Sequence, residues 1–313
     1  MTRGRLPVRR QALAALVASV ALAGCLSGPT PVPTLGGVVS APPRSPGASH
    51  GTAAPSAGTN PSPSTGVAGK PAPCPGTDRT PNASPGRQVS GSSANWSGYV
   101  AAVRKTGVTC VEGSWIEPTV TCPRTGHQAV AVWIGIDGFS ASVLGVPSTQ
   151  VLVQIGTQVD CQSGVASHSA WHEILPGEQN EVHEPGTIRA GDHLSARISF
   201  GGGQFTMQLS DADTAFAYAL TAPAPGAPRK TAEWIVEAPA TDCPGTCKPI
   251  ALPKFATITF TNAHATIAGQ RAAINNDSWS NVKLKMVRGG VTRTSTSKLL
   301  SGGTSFRVGF VHT

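Results

Sequence analysis

Apolar and polar residues alternate in short runs from about residue 91 to the end of the chain. The runs are separated by Gly, Pro, Asn and Asp, the residues that turns require. None has the sustained helical period with capping residues that a helix needs. The predicted strands cover residues 96–103, 110–116, 129–136, 150–155, 166–174, 187–189, 193–200, 205–209, 215–220, 232–236, 256–261, 282–287 and 306–311.

Many short strands at this spacing predict an all-β fold, either a sandwich or a barrel. Residues 91–313 form one predicted domain, because about 220 residues is an ordinary length for a single β-sandwich with two broad sheets. A chain of this length buries a substantial core, so the domain is expected to fold by itself.

The segment from Thr231 to Glu237 stands out because one predicted strand carries two acids. Side chains alternate along a strand, so Glu233, Ile235 and Glu237 share one face and Trp234 and Val236 share the other. The simpler interpretation is an edge strand whose acids lie in water. The alternative is a carboxylate on the floor of a sheet, working as an acid or a base.

The first 24 residues predict a targeting signal. A basic start precedes an apolar stretch, residues 12–23, that is too short to span a bilayer. Small residues then precede Cys25, as in the lipobox of bacterial lipoproteins, and this predicts lipidation of the Cys25 sulfur. The alternative is an ordinary secretory signal with an incidental cysteine. The chain is therefore expected to be exported to the cell surface or beyond, touching the membrane only through a lipidated N-terminus.

Residues 25–90 predict a tether, because Pro, Gly, Ser, Thr and Ala dominate and such a segment buries too little apolar surface to fold. Whether it includes a removable pro-segment stays open, since no boundary is visible. Residues 1–90 hold eight basic residues and one acidic residue, whereas residues 91–313 hold 16 basic and 15 acidic residues. The predicted domain is therefore almost neutral, which excludes the basic face that nucleic-acid binding needs.

Six of the seven cysteines remain once Cys25 is set aside, and an even count in an exported chain predicts disulfides. Cys243 and Cys247 enclose a tight turn and form the first predicted pair. Cys110 and Cys122 each end a strand-like run and form the second, which leaves Cys74 with Cys161 by elimination. The Cys243 and Cys247 spacing lacks a second ligand pair nearby, so zinc is not expected.

Five motifs occur along the domain in a fixed order. They are Asn95-Trp96-x-Gly98, Trp133-x-Gly-Ile-Asp-Gly138, Gln154-x-Gly156, Ala170-Trp-x-Glu-x-x-Pro176 and Ala232-Glu-Trp-Ile-Val-Glu237. Each is weak alone, but in this order they resemble the glutamic peptidases called eqolisins, or peptidase family G1. The resemblance covers residues 93–313, and within this range the run from Phe255 to Ala263 also resembles a strand of the family.

The resemblance implies a lectin-like sandwich of two large antiparallel sheets with a cleft on its concave face. It places the catalytic glutamine on Gln154 and the catalytic glutamate on Glu233. Gln158 is a competing candidate that lacks the Gln-x-Gly setting. The family's substrate-binding positions fall on further residues: Trp96 and Trp133, which would line the cleft, Asp137 as a supporting or structural acid, and Trp171 and Glu173.

One departure from the family pattern precedes Trp171, where Ser169 stands in place of the usual Asp, with His168 beside it. It bears on substrate preference and on the working pH. The implied pair suits peptide hydrolysis, in which Glu233 takes a proton from water and later returns it to the leaving amine, while Gln154 holds the water and the oxyanion. An ordinary glutamate pKa near about 4.3 favours an acidic working pH.

The predicted protein is a monomeric endopeptidase that acts on polypeptides without a metal or another cofactor. Two other classes stay open. A glycoside hydrolase on a similar sandwich would use Glu173 and Glu233 as its carboxylate pair. A surface-anchored module that binds carbohydrate or peptide would use the aromatic cleft without catalysis.

Overall fold

Two broad β-sheets make up the domain. The computed structural model describes residues 70–79, 85–105, 107–140, 144–146, 149–176, 179–181, 188–241 and 248–313. Within these ranges each of the two large sheets has nine strands, and we number all strands β1 to β22 in chain order. The prediction of an all-β sandwich is confirmed.

We call one sheet the front sheet. From edge to edge it contains β2 (Gln88–Ser93), β19 (Ser280–Arg288), β3 (Trp96–Ala102), β13 (Thr231–Glu237), β6 (His127–Asp137), β7 (Leu152–Gln162), β8 (Val165–Leu175) and β9 (Gln179–Glu181), with β20 (Val291–Thr292) paired to β19.

We call the other the back sheet. From edge to edge it contains β1 (Thr77–Asp78), β18 (Gln270–Ala273), β17 (Ile258–Ile267), β4 (Val108–Ile116), β10 (His193–Gly201), β11 (Gln204–Asp211) and β12 (Ala217–Ala222), with β22 (Phe306–Phe310) paired to β17 and β21 (Thr294–Thr296) paired to β22.

Short elements complete the described chain. Two small pairs join β14 (Ala240–Thr241) to β15 (Lys248–Pro249) and β5 (Val120–Thr121) to β16 (Lys254–Phe255). A 3₁₀ turn spans Ser301–Gly303. Among the described residues, no helix has the length and apolar character that crossing a bilayer would require.

The core lies between the two sheets, where the inward faces of alternating strands meet. Trp234 and Ile134 of the front sheet belong to one apolar cluster with Val111 and Phe260 of the back sheet. The Trp234 indole Nε1 donates to the Glu112 carbonyl oxygen across the sandwich at 2.8 Å. The inner face of β13 therefore fixes this strand against the back sheet and leaves its alternate residues on the outer face.

The strand pattern differs from the sequence-based expectation in two respects. The sheets are mixed rather than purely antiparallel, because β1 pairs in parallel with β18 and β2 pairs in parallel with β19. The predicted strand at 187–189 is wrong for its described residues: Ile188 and Arg189 lie outside the strands, and the Arg189 backbone N–H donates to Asp192 Oδ2 at 2.6 Å. This contact holds the turn that precedes β10.

The domain begins earlier than residue 91, since β1 and β2 already belong to the large sheets. The Cys74 backbone N–H donates to Glu112 Oε2 at 2.6 Å, and Arg197 Nη1 donates to the carbonyl oxygens of Ala72 and Pro73 at 3.1 and 3.3 Å. Composition placed these residues in the tether because Pro and Gly are frequent there. Their backbone groups are nevertheless bound by side chains of the back sheet.

The disulfides also differ from the prediction. Cys74 bonds to Cys110, and Cys122 bonds to Cys161, so the predicted Cys110–Cys122 and Cys74–Cys161 pairs are wrong. The reason is the position of residues 72–75, which cross the outer face of the back sheet and bring Cys74 onto β4. Cys243 and Cys247 lie outside the described residues, as do the predicted signal peptide, Cys25 and the predicted tether up to residue 69.

The two disulfides can be tested directly. Digestion of the unreduced protein is expected to release one linked peptide pair containing Cys74 and Cys110 and another containing Cys122 and Cys161. Replacing Cys74 and Cys110 together by Ser should lower the free energy of unfolding by about 2–4 kcal/mol, because the unfolded chain gains conformational freedom. Mass spectrometry and denaturant unfolding measure the two effects. A linked peptide joining Cys110 to Cys122 would contradict the assignment.

Candidate active site

A row of polar side chains crosses the outer face of the front sheet. The strand register aligns Glu233 of β13 with Gly135 of β6, then Gly135 with Gln154 of β7, and Gln154 with Glu173 of β8. Residues that are directly opposite on neighbouring strands point to the same face. The structure therefore brings together three of the residues that the sequence singled out, Gln154, Glu173 and Glu233.

Gly135 separates the two predicted catalytic residues. The distance across two strand spacings is roughly 10 Å between the Cα atoms of Glu233 and Gln154, and a glycine leaves the place between them without a side chain. A Cβ atom on Gly135 would lie 3.3 Å from Glu233 Oε2 and 2.8 Å from Trp133 Cζ3. The carboxyl group and the indole thus both lean over this glycine and occupy the space that a side chain at position 135 would need.

The Glu233 side chain is fully buried, with 0% of its surface exposed. Among the described residues, neither of its carboxylate oxygens has a hydrogen-bond partner. Burial raises the pKa of Glu233 well above 4.5, the Thr231 hydroxyl lowers it in part, and the charge of the nearby Asp137 raises it further. An unpartnered buried carboxyl group is costly to stability, and a carboxyl group whose pKa is strongly raised by burial is a candidate for proton exchange.

The Gln154 amide has one partner. Its Nε2 donates to Glu173 Oε2 at 2.6 Å, whereas its Oε1 is buried without a partner among the described residues. Burial raises the pKa of Glu173 to about 7, and the bond from Gln154 lowers it in part. The amide therefore retains a free carbonyl oxygen and a second N–H.

Glu237 binds the indole of Trp133 on one side of the site. Its carboxylate accepts from Trp133 Nε1 and from Asn95 Nδ2, both at 2.8 Å. Burial raises the pKa of Glu237 to about 7, which these donors partly counteract and the charge of Glu173 increases. Trp96 meets Trp133 edge to face at 4.9 Å between ring centroids. Glu237 and Asn95 thus orient the two tryptophans predicted to line the site.

The other apolar residues of this face form a cluster separate from the core between the sheets. It contains Trp171, Leu152 and Ile235 together with Phe139, Leu144 and Val146 from the connection after β6. The cluster places Glu233 on the outer face, as the alternation along β13 predicted. The face is covered at Glu233 rather than open, because apolar side chains surround the row.

Asp137 was predicted to bind substrate or to support the site. Its contacts are structural ones to the backbone. Its carboxylate accepts from the backbone N–H groups of Arg229 and Lys230 at 2.7 and 2.8 Å. Burial raises the pKa of Asp137, and these backbone bonds lower it in part. Asp137 therefore ties the end of β6 to the chain just before β13, which sets the position of Glu233.

Gln158, the competing glutamine, lies on the same face but in the row of Glu237 and Ala131. Its Nε2 donates to Asp160 Oδ2 at 2.7 Å. The carboxylate in its row, Glu237, already accepts two hydrogen bonds. The geometry therefore favours the row of Gln154 and Glu233, where a buried carboxyl group and an amide oxygen have no partner among the described residues.

His172 and His168, on the strand that carries Glu173, bind residues outside the row. His172 Nδ1 hydrogen-bonds with the Tyr218 hydroxyl at 3.1 Å on the inner face of the front sheet, and burial lowers the pKa of His172 to about 4. His168 Nδ1 lies 2.9 Å from Glu117 Oε1, so the departure from the family pattern at this position joins a buried contact of its own. Neither ring belongs to the row.

Sequence reasoning missed the parts played by Asn95 and Leu152. Asn95 was visible only as the first residue of a motif, and its bond to Glu237 spans 142 positions of sequence. Leu152 lies on the site face, and its Cδ1 would be 3.1 Å from a Cβ on Gly135. Neither contact has a local signal in the sequence.

Metal ligation has a candidate only outside the row. Among the described residues, the group of close acidic ligands consists of Asp192, Asp211 and Asp213, near the ends of back-sheet strands. Their carboxylates already accept from neighbouring backbone and side-chain donors. The expectation of a reaction without a metal stays a prediction.

The β-sandwich thus carries a buried carboxyl group and an amide on one face, on either side of one glycine. Residues 94–308 match the sequence pattern of the Peptidase A4 family, and the chain belongs to this family. This confirms the class that the order of the motifs indicated, a glutamic-type peptidase.

Individual relatives agree with this assignment. Aspergillopepsin-2 of Aspergillus niger is 26% identical over 199 residues, which is 56% of this chain and 66% of that protein's length. Two crystal structures of scytalido-glutamic peptidase share the fold. The one with a transition state analog inhibitor has a TM-score of 0.58 at 18% identity, and the one with a peptide-based transition state analog has a TM-score of 0.57 at 18% identity. Each comparison covers 70% of this chain and 98% of the other.

The glycine in the middle of the row gives a first test. Replacing Gly135 by Ala should lower the free energy of unfolding by about 1–3 kcal/mol, because the new methyl group would meet the Trp133 ring at 2.8 Å. Gly201→Ala is the matched control, since a Cβ there meets nothing within 4 Å. Denaturant unfolding measures both variants. Equal midpoints for Gly135→Ala and the wild-type protein would show that the row has room to spare.

Proposed function

We propose that the chain is an endopeptidase in which Glu233 and Gln154 hydrolyse peptide bonds of polypeptide substrates. The observation that carries the proposal is the row itself, which holds an unpartnered buried carboxyl group and an amide with a free carbonyl oxygen on one face, separated by Gly135. Membership of the Peptidase A4 family supports the reaction class.

The proposed reaction needs one water molecule. The ionised carboxylate of Glu233 takes a proton from water as the water oxygen bonds to the peptide carbonyl carbon. The carbonyl oxygen becomes an oxyanion, which the free N–H of Gln154 stabilises, while Gln154 Oε1 accepts a hydrogen bond from the attacking water. Glu233 then gives its proton to the peptide nitrogen, the carbon–nitrogen bond breaks, and a carboxylic acid and an amine leave.

The surrounding residues supply binding and shielding. Trp96, Trp133 and Trp171 are buried beside the row, and Glu237 fixes the indole of Trp133. The apolar cluster excludes water, which strengthens the interaction of the Gln154 N–H with the oxyanion. The wider proposal, following the N-terminal pattern, is a monomeric enzyme that is exported and held at the cell surface through Cys25.

Glycoside hydrolysis and non-catalytic binding are less well supported. In the glycosidase hypothesis Glu173 would be a free acid facing the sugar, but its Oε2 accepts a hydrogen bond from Gln154. A module that only binds would have no use for an unpartnered carboxyl group buried on its binding face.

The pair can be tested by substitution in the full chain. With an unfolded protein as substrate, Glu233→Gln is expected to lower kcat/KM by about 10²–10⁴-fold because the general base is lost. Gln154→Ala should lower it by about 10²–10³-fold because an oxyanion donor is lost. Gln158→Ala, on the same strand and face, is the matched control and should stay within about 3-fold of wild type.

Inhibitors provide the second half of this experiment. Cleavage should persist in the presence of a metal chelator and of pepstatin-type, serine-directed and cysteine-directed inhibitors. Abolition of cleavage by the chelator, or a Gln154→Ala variant as active as Gln158→Ala, would remove the proposed mechanism. Circular dichroism of each variant establishes that it is folded.

The pH profile follows from the acids of this face. Glu233 must be ionised to act as a base, so kcat/KM should fall as the pH drops through its pKa, which burial raises above 4.5. Glu173 and Glu237 are neutral below a pKa of about 7 and become negative above it, where their charge opposes the oxyanion. We therefore expect an acidic limb set by Glu233, displaced upward from the range of an ordinary glutamate, and an opposing loss of kcat/KM as Glu173 and Glu237 become negative above a pKa of about 7.

Measuring kcat/KM at constant ionic strength from about pH 3 to about pH 9 tests this expectation. The raised pKa of Glu233 moves the expected maximum upward from the range that an ordinary glutamate would suggest. A profile that still rises at pH 9, or an acidic limb below the ordinary glutamate pKa, would contradict the assignment of the limbs to these groups.

A further inference from the structure

Glu173 contacts the site through Gln154. The two residues are directly opposite on β7 and β8, and the Gln154 Nε2 to Glu173 Oε2 distance is 2.6 Å. Glu173 is half-buried at the end of the row that is farther from Glu233. Gln154 thus donates its described hydrogen bond to Glu173, which lies on the side of Gln154 away from Gly135.

We propose that Glu173 is a positioning residue, which fixes the orientation of the Gln154 amide so that its carbonyl oxygen stays free for the attacking water. The proposal rests on the function proposed above for Gln154 and Glu233. It differs from the sequence-based expectation, in which Glu173 binds substrate.

An amide needs such a residue because its two ends are similar in shape and opposite in hydrogen bonding. An ionised carboxylate accepts hydrogen bonds and donates none, so only the NH₂ end of Gln154 can face it. Turning the amide over would set Oε1 against the oxygens of Glu173, and like partial charges would repel. The observed orientation leaves Oε1 buried and unpartnered among the described residues, a costly state that Glu173 maintains.

The charge of Glu173 changes within the expected working range. Its pKa of about 7 makes it largely neutral in weakly acidic solution, where the carboxylic acid offers its carbonyl oxygen to the same N–H but its O–H no longer excludes the turned amide, so orientation by charge strengthens as Glu173 ionises. The titratable groups of the described strands on this face include Glu237 and Glu233 of β13, Asp137 and His127 of β6, and Asp160 of β7. Glutamine at position 173 reproduces the neutral form, since it also presents a carbonyl oxygen.

Two substitutions separate positioning from substrate binding. Glu173→Leu keeps the volume of the side chain but removes the acceptor, and it should lower kcat by about 10–100-fold with KM changed less than about 3-fold. Glu173→Gln should restore kcat to within about 3-fold of wild type in weakly acidic solution. Ser167→Ala, on the same strand and the same face, is the matched control and should leave both constants unchanged.

A spectroscopic measurement tests the contact without relying on activity or on the Leu variant. In the full chain labelled with ¹⁵N, the Gln154 side-chain amide signal is assigned by its disappearance in Gln154→Ala. One of its two protons should lie downfield and titrate with a midpoint near pH 7, as the pKa of Glu173 requires. In Glu173→Gln this titration should disappear.

The outcomes distinguish the two proposals. If Glu233→Gln and Gln154→Ala are inactive while Glu173→Leu keeps the wild-type kcat, only the positioning role fails. A raised KM with unchanged kcat in Glu173→Leu would return Glu173 to substrate binding. A Glu173→Gln variant as impaired as Glu173→Leu, or a Gln154 amide signal that ignores pH, would likewise overturn the inference. Active Glu233→Gln and Gln154→Ala variants would instead overturn the function on which it rests.

Discussion

The site depends on the backbone register of four adjacent strands. Hydrogen bonds between β13 and β6, and between β6 and β7, place Glu233 and Gln154 on either side of Gly135. Because side chains alternate along a strand, a slip of one residue in either pairing would turn one of the two groups toward the core. The inner faces of the same strands resist such a slip, since Trp234 and Ile134 are packed between the sheets. Packing on the inner faces therefore fixes the strand register, and the register sets which side chains lie on the outer face.

Burial of the acids follows from this arrangement and has a cost. Glu233, Glu173, Glu237 and Asp137 all have raised pKa values, and burial is the largest cause in each case. Three of them have donors that offset part of the cost: Gln154, the Trp133 and Asn95 pair, and backbone N–H groups. Glu233 has only the nearby Thr231 hydroxyl to lower its pKa, and neither of its oxygens is in a hydrogen bond of ordinary geometry among the described residues. Of these four acids, Glu233 therefore has the least compensation for its burial.

Much of the site could be predicted from the sequence because its information is local. Alternation in β13 separated Glu233 from Trp234, and the glycines of the motifs mark places where a neighbour comes close. A Cβ on Gly156 would lie 2.5 Å from Trp133 Cβ, which explains the glycine after Gln154. The order of these motifs along the chain indicated a glutamic peptidase. What could not be predicted are contacts between distant segments, such as Asn95 with Glu237 or Cys74 with Cys110, since several pairings suit the same composition.

The misjudged start of the domain has a structural consequence. Residues 72–75 cross the outer face of the back sheet, where Cys110, Glu112 and Arg197 hold them. The row of Glu233 and Gln154 lies on the outer face of the front sheet, so the whole sandwich separates it from the point where the chain joins the domain. Composition treats a Pro- and Gly-rich segment as a spacer, but the backbone of this one is bonded to the domain. Residues 72–75 therefore enter the domain on the face opposite the row of Glu233 and Gln154.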